Sequence, residues 1–480
     1  MKKIILLIGI IVAFTSCEDV LKEEPKAIVS ELFYNSAGDL ETAVNAIFSP
    51  LRSYNCFGAL YPWQTEIYSD FQLGRGSYAV LNEYQGLDNT NVTRIGSMWT
   101  QFYLAIRNAN LVIANAPNAT VADAAVIAKY TAEARFMRAF TYSVMIPYFG
   151  KLPLRTEENI KDTEVPLSSK EQVYDLIIDD LEYAEQNLPD APSVAGRPTK
   201  WSAKSVLAHV YFIMENYGEA KTKAEEVIQS NKFALVNVET VDDWQKLFGP
   251  TLISTSEEIF YIKNNKESGW SFISFMHHPS DPYYNGSGLF ACYMDTVKLS
   301  SRWDNWDPKD LRKGLYYSWE FGLGPNTMLN NKFMDTDHIG SGANDYPFYR
   351  YADVLLMYAE AASRVNNGPT ADAVEKLNMV HRRAYGKNPD QPSEVDFELA
   401  DFSSLQNFID VIVMERGYET YYEGGKRWLD LLRLGKDYAK NIILEVHGKT
   451  VADKHFLWPI PSTEIDLNDA IDDSDQNPGY

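Results

Sequence analysis

Apolar residues fall at helical spacing over much of the chain. Within 39–51, Leu40, Ala43, Val44, Ile47, Phe48 and Leu51 form one helical face, with Pro50 near its end. Trp99, Phe102, Tyr103, Ile106, Ala109 and Ile113 do the same within 97–114. Residues 121–145 contain no Gly or Pro and predict a long helix stopped by Pro147 and Gly150; 170–188, ended by Pro189, predicts another. Segments 201–215 and 219–230 flank Tyr217-Gly218 and predict a helix–turn–helix pair, and 352–365 and 371–384, around Asn366-Asn367-Gly368-Pro369, predict a second. In both pairs small residues (Ala208, Ala220 and Ala224; Ala359, Ala361 and Ala373) alternate with large ones such as Leu207, Tyr211 and Leu377. Ala permits close approach where helices cross, and large side chains fill the gaps, as in tetratricopeptide repeats. Helices are expected again at 404–415 and 425–434.

Two stretches break the pattern. Residues 53–95 are irregular and rich in Gly, Tyr and Asn. Residues 241–349 hold Trp244, Trp270, Trp303, Trp306 and Trp319 among many Tyr, Phe, Gly, Asn and Ser. The fold expected is mostly α: a tetratricopeptide-like helix-pair scaffold over about 37–240 and 350–455, a loop-rich insertion over 241–349, and a Pro- and Asp-rich wrap over 456–480, all in one domain.

The N-terminus sets the expected compartment. Lys2 and Lys3 precede an apolar run from Ile4 to Ala13, too short to span a bilayer. Phe14-Thr15-Ser16-Cys17 then resembles a bacterial lipobox, so residues 1–16 are expected to be removed and Cys17 lipidated, with 17–36 an extended leader broken by Pro25. An ordinary secretory signal with an incidental cysteine is the alternative. Glu18 and Asp19 resemble the surface-export signal of Bacteroidetes lipoproteins. No later stretch is long and apolar enough to cross a membrane. With 44 Lys and Arg against 66 Asp and Glu the net charge is −22, and loss of Lys2 and Lys3 would take it to −24. Such a surface repels nucleic-acid phosphates and anionic lipids, which leaves attachment to acyl chains. Cys56 and Cys292 can pair or remain buried thiols.

Several segments together resemble the SusD/RagB family of Bacteroidetes surface glycan-binding lipoproteins. These are Ala132-Glu133-Ala134-Arg135-Phe136 with Arg138-Ala139-Phe140 and Tyr148-Phe149-Gly150; Gly196-Arg197-Pro198; and the run from Arg350-Tyr351-Ala352-Asp353 to Tyr358-Ala359-Glu360-Ala361. Leu377-Asn378, Glu415-Arg416, Glu423-Gly424, Arg427, Asp430-Leu431, Phe456-Leu457-Trp458-Pro459 and Gln476-Asn477-Pro478-Gly479-Tyr480 continue it in order to the end of the chain. Glu419-Thr420 departs from the family's Glu-Phe, and His381-Arg382-Arg383 varies its Arg-x-Arg. The resemblance implies a repeat-pair scaffold, a glycan site on a loop-rich face, no catalysis, and a SusC-like TonB-dependent transporter as partner in the outer membrane, with the lipid-anchored protein facing the exterior.

Glu415, Glu419 and Glu423 share a helical face, and Asp430 lies nearby. Paired carboxylates can hydrolyse glycosides when one pKa is raised. Arg416, Lys426, Arg427 and Arg433 crowd the same stretch and favour ionised carboxylates, so a structural ion-pair network is expected. Arg350 and Asp353 are expected to fix helix ends, and Glu360 to pair an Arg across the bundle. His277-His278 lacks a third metal ligand at suitable spacing. Asp304, Asp307 and Asp310 suggest calcium but lack the EF-hand glycine, so no cofactor is expected and a structural calcium ion is the weaker alternative.

Aromatic side chains remain. A pyranose offers a C–H face to a flat ring and hydroxyls to polar neighbours. Loop-borne aromatics mixed with polar residues occur at 63–85 and 270–319, giving Asp70, Arg75, Tyr84, Trp270, Tyr283, Tyr284 and Trp319 as candidate glycan contacts. Trp99, Trp201, Trp428 and Trp458 are expected in the core, and Trp303 and Trp306 are weaker ligand candidates. A peptide or other nutrient on the same scaffold, or a surface glycosidase, are the rival readings.

Overall fold

A computed structural model describes residues 34–264, 272–286, 288–337 and 342–480. The expected signal, Cys17, most of the expected leader and Trp270 lie outside the described residues. No helix among the described residues is long and apolar enough to cross a membrane.

The fold is mostly α. Helices α1 (Ala37–Arg52), α2 (Leu60–Ile67), α3 (Asn89–Asn115), α4 (Ala124–Phe149), α5 (Lys170–Asn187), α6 (Lys200–Ile213) and α7 (Tyr217–Gln229) are followed, after the insertion, by α8 (Tyr351–Val365), α9 (Ala371–Ala384), α10 (Leu405–Thr420), α11 (Lys426–Arg433) and α12 (Lys436–His447). Their starts are written locally. Ser36 with Asp39, Ser169 with Gln172, and Thr199 with Ser202 form capping boxes that satisfy the first free N–H groups of α1, α5 and α6. Thr370 and Ser404 cap α9 and α10.

Except for the short α2, the helices pack in chain order. α1 lies on α3, α3 on α4, α4 on α5, α5 on α6 and α6 on α7. The chain then leaves for the insertion, and α8 returns to pack directly on α7 before continuing to α9 and α10. Ala208, Ala220, Ala224, Ala359, Ala361 and Ala373 are all buried, as close helix crossings require.

Several boundaries differ from the sequence expectation. Pro147 does not stop α4; the helix runs on to Phe149 and ends where Gly150 takes a φ of 75° and donates its N–H to the Ile146 carbonyl. A proline this close to a C-terminus removes only one late hydrogen bond. Within the stretch read as irregular, α2 forms with all eight residues buried, so it has no polar face to reveal it. α10 extends to Thr420, and α12 lies between the expected 425–434 helix and the tail.

The insertion is short strands and turns. A four-stranded antiparallel sheet has the order β1-β5-β7-β6, with β1 (Leu73–Gly74), β5 (Cys292–Asp295), β6 (Tyr316–Ser318) and β7 (Thr327–Asn330). Leu152–Pro153 and Leu167–Ser168 form the small β2–β3 pair. β4 (Glu258–Ile262) pairs antiparallel with β8 (Tyr346–Arg350) and sits against α6, where Ser202 Oγ donates to the Ile259 carbonyl at 2.9 Å. The tail laces onto the end of α4. Trp458 stacks on Tyr148 at 4.2 Å, and the Asn477 amide donates to the Phe149 and Trp458 carbonyls at 2.8 and 2.7 Å. Cys56 and Cys292 are free, buried thiols, and burial pushes both thiol pKa values up.

Candidate functional site

The carboxylates that invited a catalytic reading lie inside, each on cations. Arg350, at the β8–α8 junction, bonds Glu423 and Glu419 at 2.8 Å and also Glu257. Arg383 bonds Glu257 at 2.8 Å and Glu419 at 2.6 Å. Arg312 reaches Asp310, Glu415 and Glu419, and Lys332 reaches Glu423 at 2.5 Å. Burial alone would raise Glu419, but Arg383, Arg350 and Arg312 outweigh it and hold it at about 2. Glu415 and Glu423 are lowered in the same way, against burial, by Arg312 and Arg350. Asp430 bonds Arg416 and Arg433; Asp353 bonds Arg416 and Lys426; and Glu360 receives Arg433 across the bundle. This is the expected structural network, and it also recruits Arg312, Lys332 and Glu257 from the insertion.

Among the suggested metal ligands, Asp310 is occupied by Arg312 and the Trp306 indole, and Asp307 accepts from Tyr385. His277 turns to Asp281 and the Phe333 carbonyl, whereas His278 turns to Ser280. No His/Cys/Asp/Glu cluster among the described residues has metal-holding geometry.

The two aromatic stretches do converge. β1, from the first, pairs with β5, from the second, and Arg75 N–H donates to the Ala291 carbonyl at 2.7 Å. The Asn82 side chain braces the 73–77 loop by accepting from Gly74 N–H at 2.5 Å and donating to the Ile67 and Gln72 carbonyls. This leaves Arg75 exposed, with its guanidinium 3.8 Å from the Phe290 ring centroid. Phe290 in turn meets His278 at 4.7 Å and Phe321 at 4.8 Å. Half-buried Tyr283 meets Tyr317 edge-on at 4.7 Å. Trp319 follows β6, half-exposed and outside the packed core. Exposed Leu289 and Leu323 lie in the same two loops as Phe290 and Phe321.

Three expectations are corrected. Asp70 has no exposed surface; it takes Arg427 through two bonds of 2.7 Å and Arg302 through a third, and it joins the insertion to α11. Tyr84 is buried, with its hydroxyl donating to the Tyr68 carbonyl at 2.8 Å. Tyr284 is buried and stacked on His277 at 5.4 Å. None of the three reaches the surface, where ligand would meet it. Trp306 is likewise core, and Trp303 and Trp201 are partly buried and pack against the core. Of the six candidates among the described residues, Arg75, Tyr283 and Trp319 reach the surface. The cluster of buried Phe290 with His278 and Phe321 beside Arg75 was not anticipated; the Phe321-Gly322-Leu323-Gly324 run, large apolar residues in a glycine-rich turn, was the available signal.

Comparison with known proteins decides the family. Residues 298–480 match the model described as the SusD family, and residues 36–212 match one described as starch-binding, associating with the outer membrane. The chain belongs to the SusD/RagB family. A SusD-like protein of Formosa agariphila is 26% identical over 517 residues, covering 99% of each chain. One from Bacteroides ovatus is 27% identical over 443 residues, covering 80% of this chain and 76% of its own. A SusD homolog from Bacteroides thetaiotaomicron superposes with a TM-score of 0.80 at 21% identity, covering 94% of this chain and 98% of its own. The surface glycan-binding protein A of Bacteroides fluxus superposes with a TM-score of 0.72 at 20% identity, covering 92% and 99%. These SusD-like neighbours share the mostly helical fold.

Proposed function

We propose that this SusD-like chain is a non-catalytic, outer-membrane glycan-binding protein. It is anchored through a lipid on Cys17, faces the exterior, and delivers oligosaccharide to a SusC-like TonB-dependent transporter. The observation that carries the reading is the surface where Arg75 packs over the buried Phe290 beside His278 and Phe321, with Tyr283 and Trp319 on neighbouring loops. Trp319, Tyr283 and Phe321 supply ring faces for pyranose C–H groups, and Arg75, seated on the buried Phe290, supplies polar atoms for hydroxyls together with His278. The loops are braced by β1–β5 pairing and Asn82, so the surface is largely preformed. Modest affinity suffices where a transporter below raises the effective concentration.

The chemistry nearby favours holding over hydrolysis. Glu415, Glu419 and Glu423 are buried on guanidinium and ammonium groups and held ionised, which is wrong for a general acid. Glu66 is raised to about 8, chiefly by burial, but it is 1% exposed, out of reach of a polymer.

The test is isothermal titration of the mature chain against a panel of neutral oligosaccharides, with Trp319→Ala and Tyr283→Ala beside it. Binding to at least one saccharide, weakened about tenfold or more in Trp319→Ala with unchanged circular dichroism, is expected. Binding to peptides but to no saccharide would replace the cargo, and saccharide turnover lost in Glu415→Gln would restore the enzyme.

A further inference from the structure

A separate cleft of ≈ 710 Å³ opens between the C-terminal half of α1, the turn that follows it, the loop before α6, and Lys263 just beyond β4. It shares no lining residue with the Arg75–Phe290 surface. Its charged lining residues are Arg52, Arg197 and Lys263, and no Asp or Glu lines it, in a chain with 66 acidic residues. The remaining lining is aromatic, amide, hydroxyl and small apolar.

The acids that hold these cations are not part of the lining. Glu133 takes Arg197 at 2.6 Å, and Glu258 and Asp345 take Lys263 at 2.7 and 2.8 Å. The cleft therefore meets the cationic side of each pair. Burial pulls the Arg52 guanidinium pKa down and Asp345 only partly restores it, so an anion in the cleft would favour its charged form. Close approach builds this arrangement. Gly196 has a φ of 85°, and a Cβ there would stand 2.5 Å from Lys263 Cγ, so only glycine lets the loop close onto Lys263 and bring Arg197 to the same wall.

The apolar components fit a ring. Tyr54 is half-buried and stands edge-on against Trp63 at 5.6 Å, and Phe48 lies 5.5 Å beneath the Arg197 guanidinium. Exposed Asn55 adds an amide that can donate and accept.

We propose that this cleft is a second saccharide site, selective for acidic sugars: the carboxylate or sulfate lies against the Arg52–Arg197–Lys263 wall while the ring lies on Tyr54. It is independent of the Trp319 surface and adds an acidic-ligand preference that a globally anionic protein would otherwise oppose. Guanidinium groups suit both anions through paired N–H donors.

The experiment is isothermal titration of the mature chain with tetragalacturonate, a sulfated tetrasaccharide and neutral maltotetraose, at low and at about 300 mM salt. Asn55→Asp adds a negative charge at an exposed position without disturbing the core, Tyr54→Ala removes the ring, and Trp319→Ala removes the other surface. At least one acidic tetrasaccharide is expected to bind, to weaken with salt, and to lose at least tenfold in Asn55→Asp and in Tyr54→Ala while keeping its affinity in Trp319→Ala. Failure of both acidic probes to bind, loss in Trp319→Ala but not in Asn55→Asp, or maltotetraose binding that Asn55→Asp abolishes equally would overturn it. Trp319→Ala with neutral saccharides reports on the other surface, so the two readings fail separately.

Discussion

Replacing Arg350 by Met removes one of the most heavily bonded cations of the interior. Arg350 makes five hydrogen bonds, four to carboxylate oxygens of Glu257, Glu419 and Glu423 and one to the Glu419 carbonyl. The network sets Asp310, Glu257, Glu415, Glu419 and Glu423 against Arg312, Lys332, Arg350 and Arg383, with His381 beside Glu415. Met fits the volume but leaves the carboxylates of Glu257, Glu419 and Glu423 on Arg383, Arg312 and Lys332 alone, in a region without exposed surface. Breaking a buried pair from one side costs about 3–5 kcal/mol. With unfolding entropy of about 2.1 cal/mol/K per residue over roughly 460 residues, each kcal/mol moves the melting midpoint by about 1 °C, so a drop of about 4 °C is expected. Differential scanning calorimetry measures it, with Lys436→Ala, which breaks the exposed Lys436–Asp453 pair, as a control expected to show no measurable shift. A midpoint for Arg350→Met within 1 °C of wild type would mean that the carboxylates are neutral or hydrated, and the ion-pair account of the interior would fail.

Glu66 gives a pH dependence of known sign. Burial, its largest influence, raises it to about 8, whereas the unfolded chain ionises near 4.5, so the folded state holds an extra proton between those values and its stability falls as pH rises through that window. Glu66→Gln should flatten the decline in melting midpoint between pH 5 and 8; an unchanged slope would show that Glu66 is ionised inside. The Glu419 carboxyl, held at about 2, works oppositely: its stabilisation is present above the unfolded pKa and is lost as pH falls from about 4.5 towards 2, a loss that Glu419→Gln should remove from acid unfolding curves. Gly425→Ala should cost about 2–5 kcal/mol, because φ is 67° and the added Cβ would stand 2.8 Å from Thr65 Cβ and the Tyr148 hydroxyl; urea unfolding checks this. Cys17→Ala should move the protein from the membrane pellet to the soluble fraction, and continued sedimentation with membranes would argue against a lipid there.

The helix pairs were readable because their signals are local. The alanines of 207–224 and 359–373 and the Thr and Ser caps fix element type within a few residues of sequence. α2 was hidden because burial on every side erases periodicity, and strands of two to five residues, one with a shifted register, leave no alternation to count. The site was half legible. Composition located the loops that converge, yet it could not tell an inward Asp70 from an outward Arg75. The partners that draw Asp70 inside, Arg302 and Arg427, lie 232 and 357 residues further along. Aromatic abundance marks where rings gather; only tertiary pairing decides which of them, Trp306 or Trp319, closes the core.

The direct packing of α8 on α7 means that the ends of a detour of about 120 residues meet side by side. The detour is pinned to the bundle at a few buried charges, among them Glu257, Arg302, Arg312 and Lys332. Stretches strung between such rivets can lengthen, shorten or exchange their tips without shifting any helix. A lineage built on this plan can therefore change what it grips while leaving its skeleton untouched.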